Sequence, residues 1–219
     1  MMARMFLALT ALFTFCMATS TGYAAMQEDI DRAVAIIERF EEIPEKAIPP
    51  RVLRDAKGVA ILTVTKAGFV VSGRGGTGII LARTANGWSG PSAIGTGGIG
   101  VGFQAGVQVS EYVIILNTQE AVNAFSKGSN VTLGANLSAA IGPVGRSAEA
   151  GAAPQAAIYT YSRSQGIFAG VSLEGTVIAT RYQANEEYYE KPVYVSDILA
   201  GNVKPPAGAQ KLLDALAKY

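Results

Sequence analysis

Four carboxylates fall close together late in the chain, Glu186, Glu187, Glu190 and Asp197. Paired acids are the tools of glycoside hydrolysis and of calcium binding. Their spacing argues against both uses. Glu186 and Glu187 point to different sides of a helix or of a strand, and no Asp-x-Asp spacing accompanies them. A solvated acidic face accounts for the cluster. The chain contains no histidine and one cysteine, Cys16. That excludes Ser-His-Asp hydrolysis, Cys-His catalysis and any zinc site built from histidine or cysteine. A carboxylate or Ser-Lys hydrolase remains as a rival reading. It needs a cleft that gathers two of Glu174, Glu186, Glu187, Lys191 and Ser162, and nothing in their spacing places them together.

Gly73-Arg74-Gly75-Gly76-Thr77-Gly78 invites a phosphate-loop reading. It lacks the Gly-Lys-Ser/Thr ending, and Ile79-Ile80-Leu81-Ala82 after it reads as a strand. A phosphate loop would open a helix N-terminus there. Charge is more informative. Between Lys46 and Arg83 lie the bases Lys46, Arg51, Arg54, Lys57, Lys66, Arg74 and Arg83 against one acid, Asp55. The whole chain has a net charge of only +1, so bulk electrostatics do not favour nucleic acid. A basic stretch beside an apolar helix edge suits an anionic lipid surface, each cation contributing on the order of 1 kcal/mol. A solvated surface that balances the acidic helix before it explains the charge equally well.

The elements that would position these residues follow from period and punctuation. Residues 26–43 read as an amphipathic helix with Ile30, Ala33, Val34, Ile36, Ile37 and Phe40 on its apolar side, ended by Pro44. A short helix follows, with Pro50 in its first turn and Gly58 as its stop. Strands are expected at 59–64, 68–73 and 77–83, with Asn86-Gly87 reversing the chain into Trp88.

The run Gly97-Gly98-Ile99-Gly100-Val101-Gly102-Phe103-Gln104-Ala105-Gly106-Val107-Gln108-Val109 is the organising strand. Period two puts Ile99, Val101, Phe103, Ala105, Val107 and Val109 on an oily face, and leaves the glycine and glutamine face nearly bare. Glycine inside a strand gives up packing, so alternate glycines imply that a neighbour or a ligand lies against the backbone. Residues 111–116 are its expected hairpin partner. Asn117-Thr118-Gln119-Glu120 reads as a capping box opening a helix that ends at Lys127-Gly128. More strands are expected at 130–139, 156–161, 167–173 and 176–182, then helix at 196–200 and 207–218.

Of 219 residues, 49% are hydrophobic, 16% charged and 25 are glycine, which fits a single β-rich domain with a sizeable core. The start reads as an address. Arg4 precedes an apolar run of 14 residues over 5–18, short of the about 20 that span a membrane. Gly22-Tyr23-Ala24 supplies small residues at −3 and −1 of a cleavage site. Residues 1–24 are therefore expected to be a secretory signal peptide and 25–219 the mature domain. Phe13-Thr14-Phe15-Cys16 makes a poor lipobox, and the mature chain would have no cysteine and no disulfide.

Several segments together resemble the SYLF lipid-binding domain. They are Ile48-Pro49 to Arg51-Val52-Leu53, Ala56-Lys57-Gly58-Val59-Ala60-Ile61, Gly76-Thr77-Gly78-Ile79-Ile80-Leu81-Ala82-Arg83, Trp88-Ser89-Gly90-Pro91, Gly98 to Gly106, Gly142-Pro143-Val144-Gly145-Arg146 and Tyr161 to Gly175. The resemblance implies a lipid-binding module with no catalytic residues, no metal and no cofactor. Eukaryotic relatives bind phosphoinositides beside actin and endocytic machinery, through a basic, amphipathic N-terminal part of the domain. Carried onto this chain, the candidate lipid contacts are Arg51, Arg54, Lys57, Lys66 and Arg74.

The expected fold is α+β. It comprises a Gly-rich, mostly antiparallel β core with two N-terminal helices, one mid-chain helix and a C-terminal helix. The expected function is binding of anionic phospholipid at a membrane surface by an exported, periplasmic or membrane-associated protein. With a bacterial address, phosphatidylglycerol or cardiolipin replaces phosphoinositide. A structural or protein-binding envelope module without a lipid ligand is the alternative, and its protein partner is unidentified.

Overall fold

A computed structural model describes residues 22–42, 47–128, 130–133, 138–142, 156–166 and 176–219, without the side chains of 69–72, 99–105, 139, 141 and 166. The chain runs α1 (Gly22–Glu41), α2 (Pro50–Asp55), β1 (Gly58–Thr84), β2 (Gly87–Trp88), β3 (Ser92–Leu116) and α3 (Gln119–Ser126). There follow β4 (Val131–Thr132), β5 (Ala139–Ile141), β6 (Ile158–Gly166), β7 (Val177–Thr180), α4 (Tyr182–Tyr189), α5 (Val195–Leu199) and α6 (Gln210–Leu216). The α+β expectation holds, and all pairing is antiparallel except β5 with β6.

Two long strands replace the several short ones expected. The segments at 59–64, 68–73 and 77–83 are one strand of 27 residues, and 111–116 continues the glycine-spaced run rather than pairing with it. Strand β1 pairs with β3 from Gly58↔Leu116 to Ile80↔Ser92, with one irregularity between Phe69 and Val71. The glycines that read as breaks lie within the strands. Asn86-Gly87 does turn the chain, with Gly87 at φ 113°, and β2 pairs back onto Arg83 and Thr84.

A straight 27-residue strand would measure about 90 Å, roughly twice the diameter expected for a domain of this size. The ribbon therefore doubles over. A Cβ on Gly78 would lie 2.0 Å from the Ile61 carbonyl oxygen, and one on Gly76 would lie 2.6 Å from that of Thr63. The Arg83 amide also donates to the Lys57 carbonyl at 2.8 Å, joining the two ends of β1. Strand β6 extends one half of the ribbon at Gln108–Leu116, and β7 extends the other at Ile94–Thr96.

Alternate residues then enter two cores. The concave side holds Ala60, Leu62, Val64, Ile80, Ile94, Tyr112 and Ile114, closed by Val122 and Phe125 of α3 and by Val195 and Leu199 of α5. The convex side holds Val59, Ile61, Ile79, Leu81, Val113 and Ile115 under Ile30, Val34, Ile37 and Phe40 of α1, with Tyr188 and Leu212. Burial on both faces explains why 59–64 is apolar without alternation.

Helix α1 is fixed by a buried carboxylate. Asp29 (5% exposed) accepts from Thr77 Oγ1 at 2.6 Å and from Arg181 Nη1 at 2.8 Å, joining helix, ribbon and the start of α4. Arg39 of α1 grips Glu111 through two guanidinium nitrogens. The helix includes Gly22-Tyr23-Ala24, and Tyr23 stacks on Tyr188 with centroids 5.0 Å apart. The expected n-region, apolar run and Cys16, the loop at 143–146 and the strand at 167–173 lie outside the described residues.

Helix α4 begins at Tyr182, where the expected strand 176–182 ends, and continues through residues given no expected element. Asn185 docks it, its Oδ1 accepting from Ala93 N at 2.6 Å and its Nδ2 donating to Ser92 Oγ at 3.0 Å. Helix α3 starts where expected, Thr118 Oγ1 accepting from Ala121 N at 3.1 Å, but with Ala121 at the third position the cap is a single bond rather than a capping box; Gly128 takes φ 65° past its end.

The fold predicts unequal tolerance among the ribbon glycines. Gly78→Ala should lower stability by about 3 kcal/mol, since backbone atoms cannot move aside. Gly73→Ala meets nothing within 4 Å and should be neutral or stabilising by about 0.5 kcal/mol. Urea unfolding midpoints check both; equal midpoints would mean that the halves of β1 are not in contact.

Candidate functional site

The first three basic candidates sit together. Helix α2 has Pro50 at its first turn and no side-chain cap, so its six residues depend on tertiary contacts for order. Leu53 is buried in the convex core, and Arg83 Nη2 donates to the Leu53 carbonyl at 3.0 Å. The Arg83 guanidinium lies 4.0 Å above the centre of the Trp88 ring. Burial lowers the pKa of Arg83 from its ordinary value, and the ring face offsets part of the lost hydration. Trp88 Nε1 in turn donates to the Leu216 carbonyl at 3.0 Å, linking this corner to α6.

On that support Arg51, Arg54 and Lys57 are all exposed. Arg51 pairs with Asp55 at 3.5 Å, one turn on, and both side chains are about 70% exposed. Such a pair contributes little to stability. Lys57 is held at the sheet edge by its backbone, its N–H donating to the Leu116 carbonyl at 2.8 Å. The arrangement presents three exposed cationic side chains at the sheet edge with one acid among them.

Lys66 and Arg74 are elsewhere. Lys66 lies nine residues beyond Lys57 on β1, about 30 Å along the strand. It stands opposite Gln108, and Arg74 stands opposite Gly98. Both are half-buried and belong to the concave face of the ribbon. The five candidates therefore form two groups, not one patch. Lys46 lies outside the described residues.

The acidic cluster does not converge. Glu186 and Glu187 lie on α4, Glu190 ends it in the left-handed conformation (φ 55°), and Asp197 is on α5. Among the described residues no three His, Cys, Asp or Glu are placed to hold a metal. An open groove of about 500 Å³ between α3, α4 and α5 is lined by Lys127, Tyr182 and Tyr194 but by no carboxylate. Ser162 and Lys191 are exposed on separate elements, and Glu174 lies outside the described residues. Burial raises the hydroxyl pKa of Tyr161, Tyr188 and Tyr189, so these tyrosines stay protonated and uncharged in the core. Among the described residues no helix is long and apolar enough to cross a membrane.

Residues 97–219 match the family model "Ysc84: Las17-binding protein actin regulator". The chain is 46% identical over 202 residues to the human SH3 domain-containing YSC84-like protein 1, covering 89% of this chain and 59% of that protein. The Xenopus laevis protein of the same name is 44% identical over 203 residues, 89% and 61% of the two chains. LAS seventeen-binding protein 3 of Saccharomyces cerevisiae S288c is 47% identical over 177 residues, 78% and 39%. The chain thus spans about three-fifths or less of these relatives. All five basic candidates precede the segment that the family model matches.

Arg83 was not among those candidates, yet it holds the helix that presents three of them. Arg83→Gln should cost about 2 kcal/mol through the lost charged hydrogen bond and ring contact. Because Trp88 is the sole tryptophan, its emission should shift in the same variant. Amide exchange at Leu53 should quicken more than global stability falls. Unchanged emission and exchange would show that α2 is anchored by something else.

Proposed function

From the premise that the chain belongs to the Ysc84 family, the SYLF domain family, we propose that it binds anionic phospholipid at a membrane surface. That family is one of binding and regulatory domains, not of enzymes. The observation that carries the lipid reading is the exposed trio Arg51, Arg54 and Lys57 with a single acid, Asp55, among them. A short helix on a rigid sheet edge, with flexible cations outward, suits a flat anionic surface, where each charge contributes about 1 kcal/mol. The contact is electrostatic and peripheral. The leader-like residues 1–24 support export as part of the same reading, with phosphatidylglycerol or cardiolipin as the available anionic lipid.

A second reading has its own support. The yeast relative is named for binding LAS seventeen, and the family description speaks of an actin regulator. The same exposed trio would then dock an acidic protein face. Neither reading calls for a cofactor.

Flotation with phosphatidylglycerol vesicles separates the two. Replacing Arg51, Arg54 and Lys57 together by Gln removes three charges and keeps helix-forming side chains. Binding should weaken roughly a hundredfold, at about 1 kcal/mol per charge. Added salt should weaken the unaltered chain in the same direction, because the Debye length is about 8 Å at 0.15 M. Equal flotation of both folded proteins would overturn the lipid reading and leave the protein-binding one.

A further inference from the structure

The groove of about 500 Å³ between α3, α4 and α5 has two aromatic walls that belong to neither core. Tyr194, just before α5, is 76% exposed, the highest value for a large apolar side chain among the described residues. Tyr182, which opens α4, is 52% exposed. A tyrosine ring left in water forgoes the burial that its size offers, so two of them on one groove point to contact with another molecule. The elements behind them are firmly seated. Val122 and Phe125 of α3 and Val195 and Leu199 of α5 are buried in the concave core.

Tyr182 is braced across the groove. Its hydroxyl donates to the Gly128 carbonyl at 2.6 Å, which ties the start of α4 to the end of α3. Gly128 leaves room for that brace, since a Cβ there would overlap the Tyr182 hydroxyl. The side chains that line the groove are mainly donors. Asn123 Oδ1 already accepts from Gln119 Nε2 at 3.1 Å, which leaves its Nδ2 to the groove. Lys127 is exposed, and among the described residues its ammonium has no partner. The hydroxyls of Tyr194 and Ser196 are likewise unengaged. No carboxylate lines the groove, so Lys127 is its one charge.

We propose that this groove docks a proline-rich segment of another protein, in the polyproline II conformation, with an acidic residue at one end. Such a segment has carbonyl oxygens that no internal hydrogen bond engages, and its prolines have no N–H. It therefore brings acceptors to a groove of donors. Aromatic-lined grooves take this helix because it is preformed, so little chain entropy is lost on docking. Pyrrolidine rings pack on the exposed faces of Tyr182 and Tyr194, and the acidic residue meets Lys127. A glycan would also stack on tyrosine. Each of its hydroxyls, however, brings a donor along with its acceptor, and the lining side chains leave no obligate acceptor free for those donors. The groove shares no residue with the α2 trio and does not depend on the lipid reading.

The probe is a fluorescently labelled peptide, Glu-Pro-Pro-Pro-Pro-Pro-Pro-Pro, titrated with the full chain and followed by anisotropy. It should bind saturably. A peptide with alternating Gly and Ser in place of proline, and one with Lys in place of Glu, should each bind about tenfold more weakly or worse. Tyr194→Ala should weaken the proline peptide about tenfold without moving the thermal midpoint, because the ring is exposed. Tyr194→Phe keeps the ring and should keep most of the binding. Lys127→Glu should reverse the preference, so that the Lys-ended peptide binds better than the Glu-ended one. Replacing Arg51, Arg54 and Lys57 by Gln should leave peptide binding unchanged, which separates this site from the trio. Chitotetraose should not displace the peptide. No saturable binding, equal binding of the Gly-Ser peptide, unchanged binding by Tyr194→Ala, or displacement by chitotetraose would each overturn the proposal.

Discussion

The contact of β1 with itself is the constraint on which the other features depend. Gly78 against Ile61 and Gly76 against Thr63 are backbone-to-backbone approaches that no side chain can enter. Once the halves meet there, one face of the ribbon becomes an interior and the other a platform. Helices α3 and α5 close the interior, while α1, α4 and α6 cover the platform. The concave residues, the exposed edge at Lys57 and the polar end near Gln108 all inherit their positions from that fold. Glycine pays its chain entropy in exchange for this geometry.

The halves of the ribbon would still be free to splay without a latch, and Asp29 supplies one. Its carboxylate joins residues 48 and 152 positions away, Thr77 on the ribbon and Arg181 before α4. Removing one partner of a buried ion pair costs about 3–5 kcal/mol, and the partial exposure of Arg181 argues for the lower figure. Even so, that is a sizeable part of the 5–15 kcal/mol that holds a typical domain together. The first helix is thus part of the core rather than a detachable N-terminal arm. What projects from the convex core is α2, and there only Leu53 is fully buried. Rigidity and charge are divided between neighbouring elements: the sheet edge and Arg83 supply the first, and α2 with Lys57 the second.

Much of this was legible from period and punctuation. The apolar side of α1, the Thr118 cap, the Asn86-Gly87 turn and the buried run at 59–64 follow from local rules that the fold does not override. The length of β1 and β3 was not legible, because Gly68, Gly73 and Gly75-Gly76 look the same whether they end a strand or let it bend. Helix α4 was hidden because Tyr182-Gln183-Ala184-Asn185 has no strong helical moment; Asn185 decides it through two hydrogen bonds to β3. Of the basic candidates, Arg51, Arg54 and Lys57 are neighbours in sequence and remain neighbours in space. Lys66 and Arg74 were counted with them by charge, but strand geometry carries them about 30 Å along the ribbon.

Inside and outside on the glycine-spaced strand show where period reasoning stops. Alternation divides Val107 and Val109 from Gln108 correctly, and hydrophobicity then assigns the valines to the core. In the structure Val107 is 57% and Val109 38% exposed, while Gln108 is buried. The direction of curl is what reverses the assignment. It is set by Gly76 and Gly78, some thirty residues away, whose bare face must turn inward for the halves of β1 to meet. Gln108 and Lys66 share the inward face with them, and the valines are left on the convex side beyond the C-terminal end of α1, where Glu111 meets Arg39. Two valines in water and one carboxamide without partners are a poor exchange for folding alone. At Gln108 the direction of curl, not hydrophobic preference, decides which face of the strand is buried.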